Sequence, residues 1–152
     1  MTIRIISVGK KHEDWVASGI ERYQKRLQRP FDVEWLLISP SGADGLTARR
    51  DESERIVSRL NERDHVILLD ERGKALDSPG LAKTLEAPLN QSKPVVIVIG
   101  GAYGVDDSLH SRAQFVWSLS PLVFPHQLVR LVLTEQLYRA QEIANNRPYH
   151  HS

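Results

Sequence analysis

Two rhythms of apolar residues alternate along this chain: short dense runs, and longer stretches in which apolar positions recur every three or four residues. The first pattern reads as strand and the second as helix. TIRIISVG, from Thr2 to Gly9, is a strand closing on a glycine turn. EDWVASGIERYQKRL follows, with Val16, Ile20, Tyr23 and Leu27 on one helical face and Arg22, Lys25 and Arg26 on the other sides. Arg29-Pro30 ends that helix, because proline cannot continue the hydrogen-bond ladder. FDVEWLLIS alternates Val33, Trp35 and Leu37 and predicts a second strand. The loop PSGADGLT comes next, and Ser39–Gly45 within this region is expected to be mobile. ARRDESERIVSRLNER is a highly charged helix with a thin apolar edge at Ile56, Val57 and Leu60, and its charges are expected to form a solvated face.

HVILLD, from His65 to Asp70, is continuously apolar before its aspartate, as a strand buried on both faces of a parallel sheet would be. ERGKAL reads as a turn. DSPGLAKTLEAPL starts a helix, with Ser78 as the expected N-cap and Pro79 at the first helical position. KPVVIVIGGAYG is the strongest strand in the chain and runs straight into glycines. VDDSLHSRAQF gives a short helix, VWSLSPLVF a final strand and loop, and PHQLVRLVLTEQLYRAQEIANN the last helix. This strand–helix rhythm predicts an α/β protein with a largely parallel sheet of five strands.

Composition narrows the picture only a little. At 152 residues, 41% hydrophobic and 26% charged, the chain is one domain able to bury a real core. It has no cysteine, which excludes disulfides, thiolate metal sites and a cysteine nucleophile. The apolar stretch at the N-terminus is too short for a signal peptide, and no run reaches membrane-spanning length, so a cytoplasmic protein without a membrane partner is expected. With a net charge of +1, any nucleic-acid surface must be a local patch.

Candidate chemistry lies in the last third. Gly100, Gly101 and Gly104 follow the strongest strand, where glycines let backbone approach a ligand. Their spacing is G-G-x-x-G, which is not the dinucleotide fingerprint, and the turn carries no phosphate-binding lysine. A plain strand-to-helix turn is the competing reading. SLSPLVFPH offers a partner for that turn: Leu119, Leu122, Val123 and Phe124 are apolar, Ser118 and Ser120 are small and polar, and Pro121 and Pro125 prevent regular strand pairing. Backbone groups released from pairing could hold a heterocycle between apolar walls, or the segment could be a stiff loop packed on the sheet.

In the last helix Leu128, Val129, Leu131, Val132, Leu133, Leu137 and Tyr138 cover more than one narrow stripe. The sheet can bury only one side, so a homodimer is expected with this helix at the interface. NNRPYHHS then ends the chain with a rigid proline, a tyrosine able to stack, and Arg147, His150 and His151, a mixture suited to an RNA base and its phosphate. No third ligand lies at metal-site spacing from the histidine pair, so no metal is expected.

Taken together, these residues resemble a known family. VGK with Trp15, LLDERGK at Leu68–Lys74, IGGAYG at Ile99–Gly104, SLSPLVFPHQLVRLVLTEQLYRA at Ser118–Ala140 and PYH at Pro148–His150 are similar, in order and spacing, to the SPOUT-class methyltransferases that modify N3 of a pseudouridine in large-subunit ribosomal RNA. The resemblance implies an α/β trefoil knot, with residues 1–152 forming a single homodimeric domain and the knot and cofactor pocket falling in about residues 94–152. It implies S-adenosylmethionine as methyl donor, held by Leu69, Gly100 and the stretch Leu119, Ser120, Pro121, Leu122, Val123 and Phe124. It implies 23S ribosomal RNA as substrate, and a tail from one subunit completing the site of the other. The family tail commonly continues with Arg or Lys where this chain has His151, which weakens that positive charge or makes it pH-dependent.

Methyl transfer to N3 is an in-line displacement from which a proton must also depart, so alignment and a proton acceptor are both needed. His126, Arg130, Tyr149 and His150 are the candidates. Tyr149 and His150 are preferred, with the tyrosine stacking and the histidine accepting the proton. His126 could merely cap the last helix and Arg130 merely bridge subunits. Arg4, Lys10, Lys11, Arg22, Lys25, Arg26 and Arg29 could form an RNA-facing patch. The lack of a recognisable RNA-binding appendage suggests that the assembled ribosome presents the substrate. Two other classes stay open: a knotted dimer that holds a nucleotide or sits on ribosomes without turnover, and a dinucleotide oxidoreductase, which the glycine spacing disfavours.

Overall fold

The computed structural model describes residues 2–151; Met1 and Ser152, the two ends of the expected single domain, lie outside the described residues. The elements run β1 (Ile3–Val8), α1 (Asp14–Gln24), β2 (Val33–Ile38), α2 (Gly45–Val57), β3 (His65–Ala75), α3 (Ser78–Asn90), β4 (Val95–Ile99), α4 (Asp107–Arg112), β5 (Phe115–Ser118) and α5 (His126–Ala144). The strands form one five-stranded sheet in the order β2-β1-β4-β3-β5. Every pairing in it is parallel.

Burial on both faces explains the unbroken apolar runs. All five residues of β4 are buried. Ile3, Ile5, Ile67, Ile97 and Trp117 point to one face, where Leu81 and Leu85 of α3 and Leu133 and Leu137 of α5 cover them. Ile6, Val8, Leu68, Val96 and Val98 point to the other, against Ile56 of α2 and Leu109 of α4. α1 packs on α5, and Gly19 permits the approach: a Cβ there would stand 2.7 Å from Leu131 Cδ1. No described helix is long and apolar enough to cross a membrane.

Several local expectations change. Asp77, not Ser78, caps α3: its side chain accepts the Gly80 N–H at 2.7 Å, and the shorter-reaching Ser78 hydroxyl instead donates to Gln136. α1 ends at Gln24, well before the proline, although Leu27 is still buried. The expected turn at Glu71–Leu76 is an irregularity within β3. Leu69 and Lys74 both pair with Trp117, so Asp70–Gly73 are extruded from the ladder and β3 resumes through Ala75. Gly73 allows that return, since a Cβ there would lie 2.6 Å from the Val116 carbonyl oxygen. α2 is not solvated on all its charged positions, because Glu52 is only 3% exposed. Ser41 is tied to it, its N–H donating to Glu52 and its hydroxyl to Asp51, which anchors the middle of the Ser39–Gly45 loop.

Candidate active site

A crevice opens at the break in β3 after Leu69 and at the carboxyl end of β4, where it is expected in a parallel sheet whose neighbouring strands send their helices to opposite faces. β3 leads to α3 on one face and β4 to α4 on the other, and their last paired residues, Leu69 and Ile99, stand side by side. The resulting cleft has a volume of about 500 Å³. Leu69, Ile99, Leu119, Phe124 and Val129 supply apolar wall, and the glycine turn supplies backbone. The extruded Asp70–Arg72 segment, Arg49, Tyr103 and His126 supply polar rim.

Of the residues singled out for cofactor binding, Leu69, Gly100, Leu119, Ser120, Leu122, Val123 and Phe124 all line this one cleft. Pro121 does not; it is exposed at the outside of the bend. The two serines build that bend. Ser118 donates its hydroxyl to the Ser120 carbonyl at 3.1 Å, and the Ser120 hydroxyl accepts the Leu122 N–H at 3.0 Å. Leu122 and Val123 are consequently held 69% and 80% exposed at the cleft mouth, positions that gain by being covered by a ligand or partner. Pro125 then precedes the first turn of α5, which brings His126 and Val129 onto the wall.

The glycines are explained partly by protein and partly by backbone. A Cβ on Gly100 would meet Val105 Cγ1 at 2.8 Å, and one on Gly101 would meet Glu52 Oε1 at 2.5 Å. Gly104 has φ +76°, in the left-handed region that favours glycine, and closes the turn with its N–H on the Gly101 carbonyl.

Electrostatics sort the rim. Asp70 receives Arg72 in two-pronged fashion and lies 3.0 Å from His110 Nε2. Burial alone would push its carboxyl up, but the hydrogen bonds from Arg72 and the charges of Arg72 and His110 outweigh that and hold it below its usual range. His126 is pushed down, by burial first and then by the Arg130 charge, with Glu52 pulling weakly the other way. It therefore faces the cleft as a neutral imidazole at pH 7. His126 is the first residue of α5 and makes no cap, and Arg130 is not free to bridge subunits. It is 1% exposed, with Nε on Ser7 Oγ at 3.2 Å and Nη1 on the Lys10 carbonyl at 2.8 Å.

Tyr149 and His150 are not on this cleft. The Tyr149 ring packs edge-on against Tyr138 at 4.8 Å, under the Arg139 guanidinium, and its hydroxyl donates to Glu135 at 2.9 Å. Burial and that bond push the Tyr149 hydroxyl well above its ordinary pKa, so it stays protonated. His150 Nδ1 lies 3.1 Å from Arg139, and His150 borders a second cleft shared with Trp117, Leu119, Ser120 and Phe124. The 119–124 segment is thus the partition between the two clefts. Among the described residues, no group of three or more His, Asp or Glu is gathered as a metal site.

The sequence that builds this crevice, with IGGAYG at its floor and the bend before α5 as its wall, matches a family model. The model described as "Predicted SPOUT methyltransferase" covers residues 1–150. The chain belongs to the SPOUT methyltransferase family. Relatives called ribosomal RNA large subunit methyltransferase H include one from Methylobacillus flagellatus, 42% identical over 99% of both chains. Others are from Geobacter metallireducens, 42% identical over the full length of both, and Coxiella burnetii, 34% identical over 99% of both. In fold, the chain resembles a probable methylase family protein from Haemophilus influenzae, with a TM-score of 0.59 at 17% identity over 95% of this chain and 66% of that one. As a SPOUT methyltransferase the chain thus has its glycine turn and its bend converging on one cavity, whereas Glu52, Arg49, Tyr103 and Asp70 are neighbours that pattern reading did not assign to it. For Glu52 a signal existed: Ala48, Glu52 and Ile56 are spaced four apart, which puts the carboxylate inside a buried stripe.

Proposed function

We propose that this chain is an S-adenosylmethionine-dependent methyltransferase acting on N3 of a pseudouridine in 23S ribosomal RNA, with the assembled ribosome as its substrate. The observation that carries the reading is the single cleft formed by Leu69, the glycine turn and Leu119–Phe124. Its size and its apolar walls with a polar rim suit an adenosine-type ligand. When bound, the cofactor supplies an electrophilic methyl group on a sulfonium. The chain's part is to hold the nucleoside between Leu69, Leu119 and Phe124, to exclude water with Leu122 and Val123 once they are covered, and to align the acceptor nitrogen.

The knot and the homodimer belong to the same proposal. Leu128, Leu131 and Val132 of α5 are only half-buried in one chain, and Val132 borders the second cleft, so a partner packing there would cover both. In that assembly the tail of one subunit reaches the other's cleft. Tyr149 stacks on the target base, and His150 takes the N3 proton, because the Tyr149 hydroxyl is held protonated.

The deciding experiment supplies labelled S-adenosylmethionine with ribosomes lacking the modification, and then identifies the methylated nucleoside by mass spectrometry. Label on N3 of a pseudouridine is expected, with naked 23S RNA a far poorer acceptor. Absence of transfer to any ribosomal RNA defeats the reading, and equal transfer to naked RNA defeats the ribosome requirement.

A further inference from the structure

Glu52 sits on α2, behind the cleft wall, and is 3% exposed. Its Oε2 accepts the Ser41 N–H at 2.9 Å. Its Oε1 is buried and has no hydrogen-bond partner. Gly101 lies directly over that oxygen: a Cβ there would stand 2.5 Å from Oε1 and 3.1 Å from Val8 Cγ1. Gly101 also lines the cleft. The second glycine of the turn therefore makes room for a carboxylate beneath it, and one residue without a side chain separates that carboxylate from the cavity.

An unpaired buried carboxylate oxygen is costly, and native structures rarely keep one without a use. The field of Glu52 already reaches the cleft, where it acts on His126 and Tyr103. The other acids nearby are differently placed. Asp70 is matched by Arg72 and His110, and Glu71 is exposed at the rim. Glu52 is the buried acid beside this cavity with an oxygen left over.

We propose that Glu52 is a selectivity residue: its carboxylate, under Gly101, makes the cleft prefer a sulfonium cation over the neutral thioether that remains after methyl transfer. This rests on the reading of the cleft as an S-adenosylmethionine site. In transfer the S–CH3 bond breaks, its electron pair stays on sulfur, and the bound nucleoside loses its positive charge. A fixed anion in a poorly solvated wall then holds the spent product less tightly than the donor, which favours exchange of one for the other. Unit charges on the order of 10 Å apart at an effective dielectric constant of about 20 attract by roughly fifteenfold in affinity, and screening at an open cleft brings that to about five- to tenfold. A role limited to packing under the glycine turn would weaken both ligands alike.

The test is isothermal titration of the full chain with S-adenosylmethionine and S-adenosylhomocysteine, for the wild type, Glu52→Gln and Glu52→Asp. The ratio of the two dissociation constants is expected to shift against the cation by about five- to tenfold in Glu52→Gln, and by less than about twofold in Glu52→Asp, which keeps the charge. A Glu52→Gln ratio equal to that of the wild type overturns the inference, and so does an equal loss in both variants. If Glu52→Gln does not fold, the wild type decides: S-adenosylhomocysteine bound as tightly as S-adenosylmethionine sinks the proposal. Failure of the wild type to bind either ligand would instead remove the cofactor reading itself, and this inference with it.

Discussion

Arg130 of α5 donates from Nε to the Ser7 hydroxyl of β1 at 3.2 Å, joining elements 123 residues apart through a guanidinium that is 1% exposed. Its Nη1 also holds the Lys10 carbonyl, and a Cβ on Gly9 would stand 2.6 Å from Nη2. The loop after β1 is therefore wrapped around a buried cation. Arg130→Ala should lower stability by about 2–4 kcal/mol, since it empties a packed site and strands the Lys10 carbonyl. Arg130→Lys should recover part of that loss but not the forked geometry. Urea midpoints at one fixed protein concentration check both; a change under about 0.5 kcal/mol for Arg130→Ala would contradict this account.

Acid should destabilise the protein as its depressed histidines are forced to take up protons. His12, His65 and His126 are all held below their ordinary value of 6.5, each by burial first and then by a neighbouring cation, Arg130, Lys93 and Arg130 respectively. A depressed histidine binds its proton more readily in the unfolded chain. Stability is therefore complete above about pH 6.5 and falls as pH drops from there toward the folded-state values. The urea midpoint should be lower at about pH 5.5 than at about pH 7.5, and His126→Gln should shrink the difference. A midpoint that rises on acidification through this window would reverse the sign and refute the assignment.

Gly101→Ala should be damaging although Gly101 does not have a positive φ. The new methyl must displace the buried Glu52 carboxylate or the Val8 side chain, at a cost of about 1–3 kcal/mol. The displaced floor should also weaken S-adenosylmethionine binding measurably in the folded variant. Wild-type thermal stability together with wild-type affinity would show that the turn is looser than described.

Tyr149→Phe and Tyr149→Ala should behave differently. The phenol is tied to Glu135 and kept protonated, so it cannot act as a base, whereas the ring holds the tail against Tyr138 and Arg139. Methyl transfer by Tyr149→Phe is expected within about threefold of wild type, while loss of a general base would reduce it at least about a hundredfold. Tyr149→Ala should lower transfer by more than about tenfold, with cofactor affinity retained, as read by titration and single-turnover assays. Removal of the chain from Arg147 onward should give the same separation of binding from transfer.

Much of this architecture is readable from residue order, because helix and strand periodicity are local properties. The unbroken run Val95–Ile99 announces a strand buried on both faces, and the strand–helix alternation announces a parallel sheet. IGGAYG and the Pro121–Pro125 bend likewise mark themselves by backbone chemistry, as segments that cannot continue regular structure. What a local pattern cannot carry is which distant segments share a space. Packing alone brings Leu69, Gly100 and Phe124 to one cavity, puts Glu52 beneath Gly101, and buries Arg130 against Ser7. A charged residue looks the same in sequence whether it faces water or a core, and its solvation is decided only when the sheet and the helices close over it.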